Sequence, residues 1–480
     1  MVYCFYSSPG YSAFSTGDVT MRICVIGAGF GGLAASTLVS GAGHETHVFE
    51  KESMVGGRGL TLNMDLDMDI SAYRSLLKRF HMWIPFAEPS MEEILGGLIK
   101  GYSIDLGFHL MGGGKNAAPA RVLSSQGINL DFVGSRLGYI GDKVFYPFLS
   151  TLDKIKMIPR IFQLLFSRKS TISSLKDVSM AQTIQRYGTG KLTLTLELFP
   201  RLITTVNDLT RISTGDTFFA QRELMGSSPV SYPVGGIGSI GKKFAWCTAQ
   251  NGGVIHHKKV DHVIVENGIA RGIQVEGKEE YFDVIVSNLP VQNFFSLVPP
   301  DEFSGAMDLR TLQGTGSLCA YHALTDIPRN LLGKSFMFIE RNLDVDGNDA
   351  AGIIDFKMAC PQVDTSPPGK FLVQSYIICS PDEAKRKKKV ELLRPVLDKY
   401  LNRLVPGYRK YLDWCFYPSV WQLDGVAKTI DIHKPSCATP IQNLYFVGDC
   451  IESAGVGINC AVDSAIRFAD TLNVSHNVKH

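Results

Sequence analysis

Residues 22–58 hold the pattern that most restricts how this chain can fold: two tight groups of glycines with the acidic residue Glu50 between them. The run RICVI (22–26) is typical of a short, buried parallel strand. A Gly-x-Gly-x-x-Gly loop follows, then a helical stretch, then a second apolar run, THVFE, that ends at Glu50. This order of strand, glycine turn, helix, strand and acid predicts the α/β class, with a Rossmann-type nucleotide-binding unit.

Each glycine of the first loop has a separate physical role in such a unit. Gly27 permits the tight turn, Gly29 lets the backbone approach a pyrophosphate, and Gly32 lets helix and strand pack closely. The phosphates then lie on free N–H groups at the helix N-terminus, where the helix dipole favours anions. Glu50 lies 18 residues after Gly32 and can accept hydrogen bonds from a ribose. We therefore predict nucleotide contacts from the whole loop: Gly27, Ala28, Gly29, Phe30, Gly31 and Gly32.

The same glycine spacing recurs at 236–241, but in a different context. The residues before it, SSPVSYPVG, contain two prolines and no strand pattern, so this copy is interpreted as a loop that enters a helix. The sequence therefore predicts one nucleotide site, and no separate site for a nicotinamide cofactor.

Two further segments indicate that the nucleotide is FAD. The acid at 50 continues through Lys51 into Gly56-Gly57-Arg58, and near the other end NLYFVGD (443–449) reads as a strand followed by Gly448 and Asp449. A glycine turn and an amphipathic helix come next. These motifs resemble those of the FAD-dependent amine oxidase and phytoene desaturase superfamily, the GR2 type of flavoprotein. The resemblance covers nearly all of 21–475. In its middle part, the Asn267-Gly268 pair between two apolar runs predicts a β-hairpin, and FDVIVSN (282–288) is typical of a buried strand.

The resemblance implies roles for residues at both ends. Gly56 and Gly57 would let the backbone pass the FAD diphosphate, where Arg58 would supply a charge-assisted hydrogen bond; a surface arginine is the alternative. Asp449 would reach the ribityl or diphosphate region, and the following helix would point its N-terminus at the flavin ring. The implied FAD contacts from the remaining segments are Lys51, Val260, Gly448, Gly457, Ile458 and Asn459.

The resemblance also implies two discontinuous domains. Residues 21–59, 101–115, 230–290 and 438–475 would form the FAD-binding domain. Residues 60–100, 116–229 and 291–437 would form an α+β substrate domain, and residues 1–20 a flexible N-terminal extension. The segment 60–100 is longer than the family's usual connection and carries helical patterns, so we expect it to cap or extend the substrate cavity.

Residues 152–169 combine apolar positions with five bordering cations. Such a pattern suits an interfacial helix that contacts a membrane near a tunnel mouth, and it equally suits an amphipathic helix packed on the core. The basic run 385–389 is expected to be a solvated helix face. No stretch reaches the length of about 18 apolar residues that a membrane-spanning helix needs.

His109, in DLGFHL, is the polar side chain expected nearest the flavin, where it would act as an acid or base; a hydrogen-bonded packing histidine is the alternative. No other catalytic residue is proposed, and neither metal ligands nor a nucleophile–histidine–carboxylate order stands out. This suits a flavin enzyme, in which the cofactor accepts hydride and the protein orients the substrate.

Composition bears on the partners of the protein and on its cellular compartment. The formal net charge is +2, which gives no global reason to expect a nucleic-acid partner. The ten cysteines form no C-x-x-C pair, so reduced thiols in a cytoplasmic protein are expected, with membrane association as an option.

Together these features predict an FAD-dependent oxidoreductase. It would act on an apolar, isoprenoid- or carotenoid-like substrate by desaturation, saturation or isomerisation, with hydride transfer to flavin N5. An amine or protoporphyrinogen oxidase is the alternative, and a carrier of prenylated proteins like the GDP-dissociation inhibitors is a lesser one. The electron acceptor is left open among oxygen, a quinone and another carrier.

Overall fold

The computed structural model describes residues 20–65, 68–155, 159, 169–223, 230–303, 308–343, 347–474, 476 and 478. The expected N-terminal extension and most of the segment 152–169 therefore lie outside the described residues.

The strands are short in the nucleotide-binding part and longer in the substrate-side sheet. They are β1 Arg22–Ile26, β2 Glu45–Phe49, β3 Thr61–Asn63, β4 Met82–Glu88, β5 Ser103–Asp105, β6 Phe132–Ser135, β7 Leu137–Ile140, β8 Val144–Phe145, β9 Val230–Pro233, β10 Val254–His256, β11 Val260–Glu266, β12 Ile269–Val275, β13 Lys278–Tyr281, β14 Val284–Ser287, β15 Gly316–Leu324, β16 Ser335–Glu340, β17 Ala350–Asp355, β18 Phe371–Cys379, β19 Leu412–Val420 and β20 Leu444–Phe446.

The helices cover both sheets. They are α1 Phe30–Gly41, α2 Ile70–Arg79, α3 Met91–Glu93, α4 Ala118–Ser125, α5 Lys169–Ser173, α6 Met180–Tyr187, α7 Lys191–Thr204, α8 Thr214–Glu223, α9 Gly238–Gln250, α10 Pro381–Ala384, α11 Lys387–Leu404 and α12 Gly457–Thr471.

A five-stranded parallel sheet forms the nucleotide-binding part, in the order β10-β2-β1-β14-β20. Its central strands β1 and β14 are almost wholly buried, because helices and loops cover both faces of the sheet. The α/β prediction, with strands at 22–26 and at the FDVIVSN segment, is confirmed. The three stretches 21–59, 230–290 and 438–475 all contribute strands to this sheet, although their predicted domain boundaries stay a prediction.

The Asn267-Gly268 turn joins β11 to β12 as an antiparallel hairpin, which confirms the hairpin predicted there. Both turn residues have positive φ angles, +52° and +76°, the backbone conformation that Asn and Gly adopt most readily.

The second glycine match needs a correction. No strand was predicted before it, yet β9 immediately precedes it and pairs with β6. Pro233 is the last residue of this strand and lies opposite Phe132, so a proline at the strand end does not prevent the pairing. β9 lies outside the five-stranded sheet, so a second strand–glycine–helix unit does not form and the match opens α9, as expected.

An eight-stranded mixed sheet forms the floor of the substrate side, in the order β4-β19-β15-β18-β17-β16-β7-β8. Strand β4 comes from the 60–100 segment, where only helices had been predicted, and it pairs with β19. Helix α11 packs on one face of this sheet, and the basic run 385–389 is mostly exposed at its start.

Candidate functional site

One continuous cavity of about 900 Å³ lies where the five-stranded sheet meets the eight-stranded sheet. Its size is at the upper end of the range of about 300–1,000 Å³ for small-molecule and cofactor sites. Ala28 and Gly32 are the two predicted contacts that do not line it. The predicted residues on its wall are Gly27, Gly29, Phe30, Gly31, Glu50, Lys51, Gly56, Gly57, Arg58, His109, Val260, Gly448, Asp449, Gly457, Ile458 and Asn459.

The first glycine loop has the geometry of a phosphate cradle. Gly27 turns the chain with a φ of +97°, and a Cβ on Gly32 would lie 2.1 Å from the carbonyl oxygen of Gly27. Helix α1 therefore starts directly against the end of β1. The N–H groups in the first turn of a helix have no intrahelical partner, so this turn presents free donors and a positive dipole end to the cavity.

Glu50 stands at the carboxyl end of β2 and is 8% exposed. Its two carboxylate oxygens accept from the backbone N–H groups of Ala28 and Glu52, at 2.8 and 2.9 Å. Each oxygen has a second lone pair, so the carboxylate can hold the glycine loop and still accept from a ribose.

The second glycine pair packs directly on the first loop. The N–H of Gly56 donates to the carbonyl of Ala28 at 2.8 Å, and a Cβ on Gly57 would lie 3.2 Å from the Cα of Gly29. The two glycine groups, 24 residues apart in sequence from Gly32 to Gly56, thus form one backbone surface. A side chain on Gly57 would press on Gly29 of the first loop.

Arg58 and Asp449 form an ion pair across the cavity wall, with 2.5 Å between Nη2 and Oδ1. The other Asp449 oxygen accepts from the N–H of Gly425 at 2.7 Å, and Arg58 also donates to the carbonyl of Gln422. Burial acts to raise the pKa of Asp449, but Arg58 and Lys434 outweigh it and hold that pKa below its ordinary value. The diphosphate role expected for Arg58 stays a prediction.

Helix α12 begins at the cavity with Gly457, whose φ is +52°. The Asn459 side chain donates to the carbonyl of Gly112 at 3.0 Å, while its buried Oδ1 has no hydrogen-bond donor among the described residues. An unsatisfied buried acceptor carries a free-energy cost, so a donor from a bound molecule would stabilise this corner.

Asn288 is a wall residue that the sequence reasoning missed. It follows β14, donates from Nδ2 to the carbonyl of Gly27 at 3.4 Å, and lies so close that a Cβ on Gly29 would be 2.6 Å from it. A signal was present: ligands bind at the carboxyl ends of strands in open α/β sheets, and FDVIVSN had been read as such a strand.

His109 lies on the wall with a defined tautomer. Its Nε2 faces two carbonyl oxygens, those of Leu106 at 2.7 Å and Arg58 at 3.1 Å. Carbonyls only accept, so Nε2 carries a hydrogen and Nδ1 of the neutral ring is an acceptor. The Gln374 amide holds the backbone carbonyl of His109 at 3.2 Å. The bonds to Nε2 agree with the interpretation of His109 as a hydrogen-bonded packing residue. Nδ1 stays available for the role of an acid or base.

The side of the cavity away from the glycine loops is an apolar chamber. Helix α7 supplies one wall and strands β16, β17 and β18 supply the opposite one. The apolar chamber is lined by Leu137, Leu149, Phe199, Leu202, Ile203, Val230, Met337, Ile353 and Tyr376.

The 60–100 segment also reaches the cavity, through Arg79, Phe80 and His81. Burial, followed by the charges of Arg58, Lys51 and Lys385, lowers the pKa of His81 to about 4, so this ring is neutral at physiological pH. This agrees with the expectation that the segment extends the cavity.

Two polar residues in the chamber also escaped the sequence reasoning. Asp424 and Thr205 lie on the cavity wall, and Thr205 donates to Oδ2 of Asp424 at 2.9 Å. Neither residue belongs to a recognisable motif, and 219 residues separate them, so no sequence signal could have paired them.

Other site types are not found in the part of the chain that the structure describes. It contains no group of three or more potential metal ligands, and its nine cysteines are all buried and free. None of the helices within these ranges is both long and apolar enough to cross a membrane.

Comparison with known proteins agrees with this geometry. The family model for flavin containing amine oxidoreductases matches residues 30–473. No curated protein matches the chain significantly.

Solved structures of several proteins have a similar fold. An oxidoreductase from Methanosarcina mazei is 20% identical with a TM-score of 0.68, and the match covers 94% of this chain and 100% of that one. Putrescine oxidase bound to putrescine is 13% identical with a TM-score of 0.64, covering 95% and 100%. A CLA-producing fatty acid isomerase from P. acnes is 13% identical with a TM-score of 0.58, covering 94% and 98%.

Proposed function

Because this chain belongs to the flavin-containing amine oxidoreductases, which use FAD, we propose that it transfers hydride between FAD and an apolar, isoprenoid-like substrate. The observation that carries the proposal is the apolar chamber, which is continuous with the glycine cradle. A chamber of this kind binds a hydrocarbon chain through burial of apolar surface, at about 25 cal/mol per Å².

The residues of this chain fit FAD. The glycine loop with the start of α1 would hold the diphosphate, Glu50 would hold the adenosine ribose, and the start of α12 would face the flavin ring. Asn459 Oδ1 is an acceptor that lacks a donor there. Bound FAD would supply the two-electron hydride chemistry, and the chain would orient the substrate and keep water out of the apolar chamber.

An exposed apolar segment next to the chamber supports uptake of the substrate from a lipid surface. Leu149 and Lys154 line the cavity, and the residues around them are apolar and exposed: Phe145 at 46%, Leu152 at 67% and Ile155 at 58%. Apolar side chains with a bordering cation are what a protein needs to lie on an anionic membrane. We propose that residues 144–155, the entry segment, contact the membrane and continue into the segment 156–169.

An amine oxidase is the second candidate, and Asp424 is the observation that favours it. A carboxylate on the chamber wall could pair with a substrate ammonium group. Against it stands the mostly apolar lining of the chamber, which suits a hydrocarbon better than a polyamine. The buried Lys357 could not assist an amine oxidase, because it does not line the cavity. Its ammonium group donates to Asp355 and Ser335 inside the eight-stranded sheet.

A carrier of prenylated proteins is the third candidate. Such a protein has no need of a dinucleotide cradle, whereas here both glycine groups, Glu50 and the Arg58–Asp449 pair surround the cavity. The presence of a complete cradle supports the enzyme over the carrier.

The test is to purify the protein from cells with an active isoprenoid pathway and to record its visible spectrum. An organic extract of the same sample is then analysed by mass spectrometry. We expect a flavin spectrum and a co-purified isoprenoid. A flavin spectrum with a bound amine would favour the amine oxidase, and a colourless protein would favour the carrier.

A further inference from the structure

Asp424 differs from every other carboxylate on the cavity wall because it lies between the apolar chamber and the start of α12. Its Oδ2 contacts Thr205 at the end of α7. Its Oδ1 faces the other way, since a Cβ on Gly457 would lie 3.4 Å from it. No hydrogen-bond partner of Oδ1 is found among the described residues.

The backbone around Asp424 is held firmly. Its N–H donates to the hydroxyl of Thr315 at 3.0 Å, and its carbonyl accepts from the N–H of Thr315 at 3.2 Å. The next residue, Gly425, is bonded to Asp449. The carboxyl group is therefore fixed relative to the Arg58–Asp449 pair.

Thr205 occupies a strained position in this cluster. Its φ is +53°, in the left-handed region that a β-branched residue rarely adopts. Strain of this kind persists where surrounding contacts impose it, and it is concentrated at functional sites.

The hydrogen atoms of this cluster can be counted. The hydroxyl oxygen of Thr205 has three oxygen neighbours: the carbonyl of Thr204 at 2.7 Å, the hydroxyl of Thr315 at 2.6 Å and Oδ2 of Asp424 at 2.9 Å. A hydroxyl brings one hydrogen and two acceptor lone pairs. Thr205 is the donor in all three contacts, so its one hydrogen is shared among them, and Oδ2 of Asp424 accepts. Thr205 therefore holds Oδ2, and Oδ1 is the oxygen left to take up a proton.

We propose that Asp424 is a catalytic residue that exchanges a proton with the substrate at Oδ1, and that the Thr205 hydroxyl, which donates to Oδ2, holds the carboxyl group in place. The proposal rests on the proposed function. In desaturation, bound FAD would supply the two-electron oxidant for the hydride on one carbon. The proton on the neighbouring carbon goes to Oδ1 of ionised Asp424, and its C–H electron pair becomes the new double bond. In saturation or isomerisation the protonated carboxyl returns that proton to carbon.

The surrounding groups shift the pKa of Asp424 in both directions. Burial, followed by repulsion from Asp449, raises the pKa of Asp424, while Lys434 and Arg58 act to lower it, and the net direction is upward. Lys428 and Tyr376 are the other titratable groups that interact with it. The rate of desaturation should therefore rise with pH through a pKa above the ordinary range of an aspartate.

The test compares Asp424→Asn with wild type in the flavin-loaded protein. Asparagine keeps the size and can still accept from Thr205, but it cannot take a proton. The first readout needs no substrate: the visible spectrum of the bound flavin is titrated from acid to mildly alkaline pH. We expect a spectral transition in wild type that is absent in Asp424→Asn and present in the control Asp431→Asn, whose side chain is 52% exposed and paired with Arg211.

The second readout is the rate at which a linear isoprenoid polyene in phospholipid vesicles bleaches the flavin without oxygen. General acid–base catalysis contributes about 10²–10⁴-fold, so a loss of that size is expected in Asp424→Asn with unchanged flavin content. Asp424→Glu keeps a carboxyl group and should retain a pH-dependent rate. It is compared with wild type in place of Asp424→Asn if the asparagine variant does not fold.

The outcomes separate the two proposals. A colourless wild-type protein would overturn the proposed function. A yellow wild type whose spectral transition and bleaching rate survive in Asp424→Asn would overturn the role of Asp424 alone.

Discussion

At the scale of single residues, the cofactor cradle depends on glycine positions, where no side chain occupies the space between neighbouring segments. A Cβ on Gly32 would meet the Gly27 carbonyl at 2.1 Å, and a Cβ on Gly29 would meet the Asn288 amide at 2.6 Å. These contacts are far shorter than normal van der Waals separations. The glycines are therefore required by packing as well as by the approach of a phosphate.

Gly29→Val should abolish or strongly weaken FAD retention, because the added side chain would fill the space between the loop and Asn288. We expect a decrease in affinity of at least about tenfold, equivalent to about 1.4 kcal/mol. The measurement is the ratio of flavin to protein absorbance after purification. Gly96→Val is the matched control, since a Cβ there has no neighbour within 4 Å. Normal flavin content in Gly29→Val would show that the cradle is misassigned.

Glu50 is expected to act on both the loop and the cofactor. Glu50→Ala removes the acceptor of two backbone N–H groups and should destabilise the protein by about 1–3 kcal/mol, with loss of flavin. Glu50→Gln keeps one acceptor oxygen and should be milder. Urea unfolding and FAD titration measure the two effects. Equal, wild-type-like behaviour of both variants would contradict this role.

The Arg58–Asp449 pair should make stability depend on pH. The pKa of Asp449 is lowered in the folded state, so its contribution is present above the unfolded-state pKa and is lost as pH falls through the folded-state value. Asp449→Asn should cost about 3 kcal/mol at neutral pH, because it leaves Arg58 mostly buried without its counter-charge.

Urea unfolding at neutral and acid pH measures this effect. The control is Asp431→Asn, whose partner Arg211 is exposed and whose ion pair should contribute less than about 1 kcal/mol. A smaller loss for Asp449→Asn than for Asp431→Asn would contradict the account.

At the scale of elements, local patterns predicted the nucleotide-binding part well. The strand at Arg22–Ile26 and the helix after it follow from one continuous stretch of sequence. The eight-stranded sheet could not be predicted in this way. Strand β4 pairs with β19, which places Glu88 opposite Cys415, and nothing in either stretch encodes a partner so distant in sequence.

The same limit explains the residues that were missed in the site. Asn288 follows a strand that could be recognised, so its position at the sheet edge could have been inferred. Asp424 and Thr205 come together through the packing of α7 against a loop before β20, and no spacing rule connects them. Motif reasoning therefore finds the cofactor end of the cavity and not the substrate end.

The entry segment, residues 144–155, should bind membranes. Replacing Leu152 and Ile155 with Ser removes two exposed apolar side chains and should reduce co-flotation with anionic vesicles severalfold, while flavin content stays unchanged. Leu392→Ser is the control, because Leu392 is similarly apolar and 43% exposed but lies on α11. Wild-type protein that does not float at low salt would contradict the membrane proposal.

At the scale of the whole molecule, the two large sheets have different roles. The parallel sheet presents the glycine cradle, the mixed sheet presents the apolar chamber, and the cavity joins them. Glu50 belongs to the cradle, and the second glycine match is not preceded by a strand of the parallel sheet. The molecule therefore offers a place for FAD and a substrate, and no second Rossmann unit for a nicotinamide nucleotide is formed in the described residues.

The most direct test of this account is anaerobic stopped-flow absorbance of the flavin-loaded protein. It is mixed in parallel with NADPH, with NADH, and with a linear isoprenoid polyene in phospholipid vesicles. We predict that the polyene bleaches the oxidised flavin band without a pyridine nucleotide, and that NADPH and NADH reduce the flavin slowly or not at all. Rapid, full reduction by NADPH alone, with no response to the polyene, would contradict the account and indicate a nicotinamide-driven reductase.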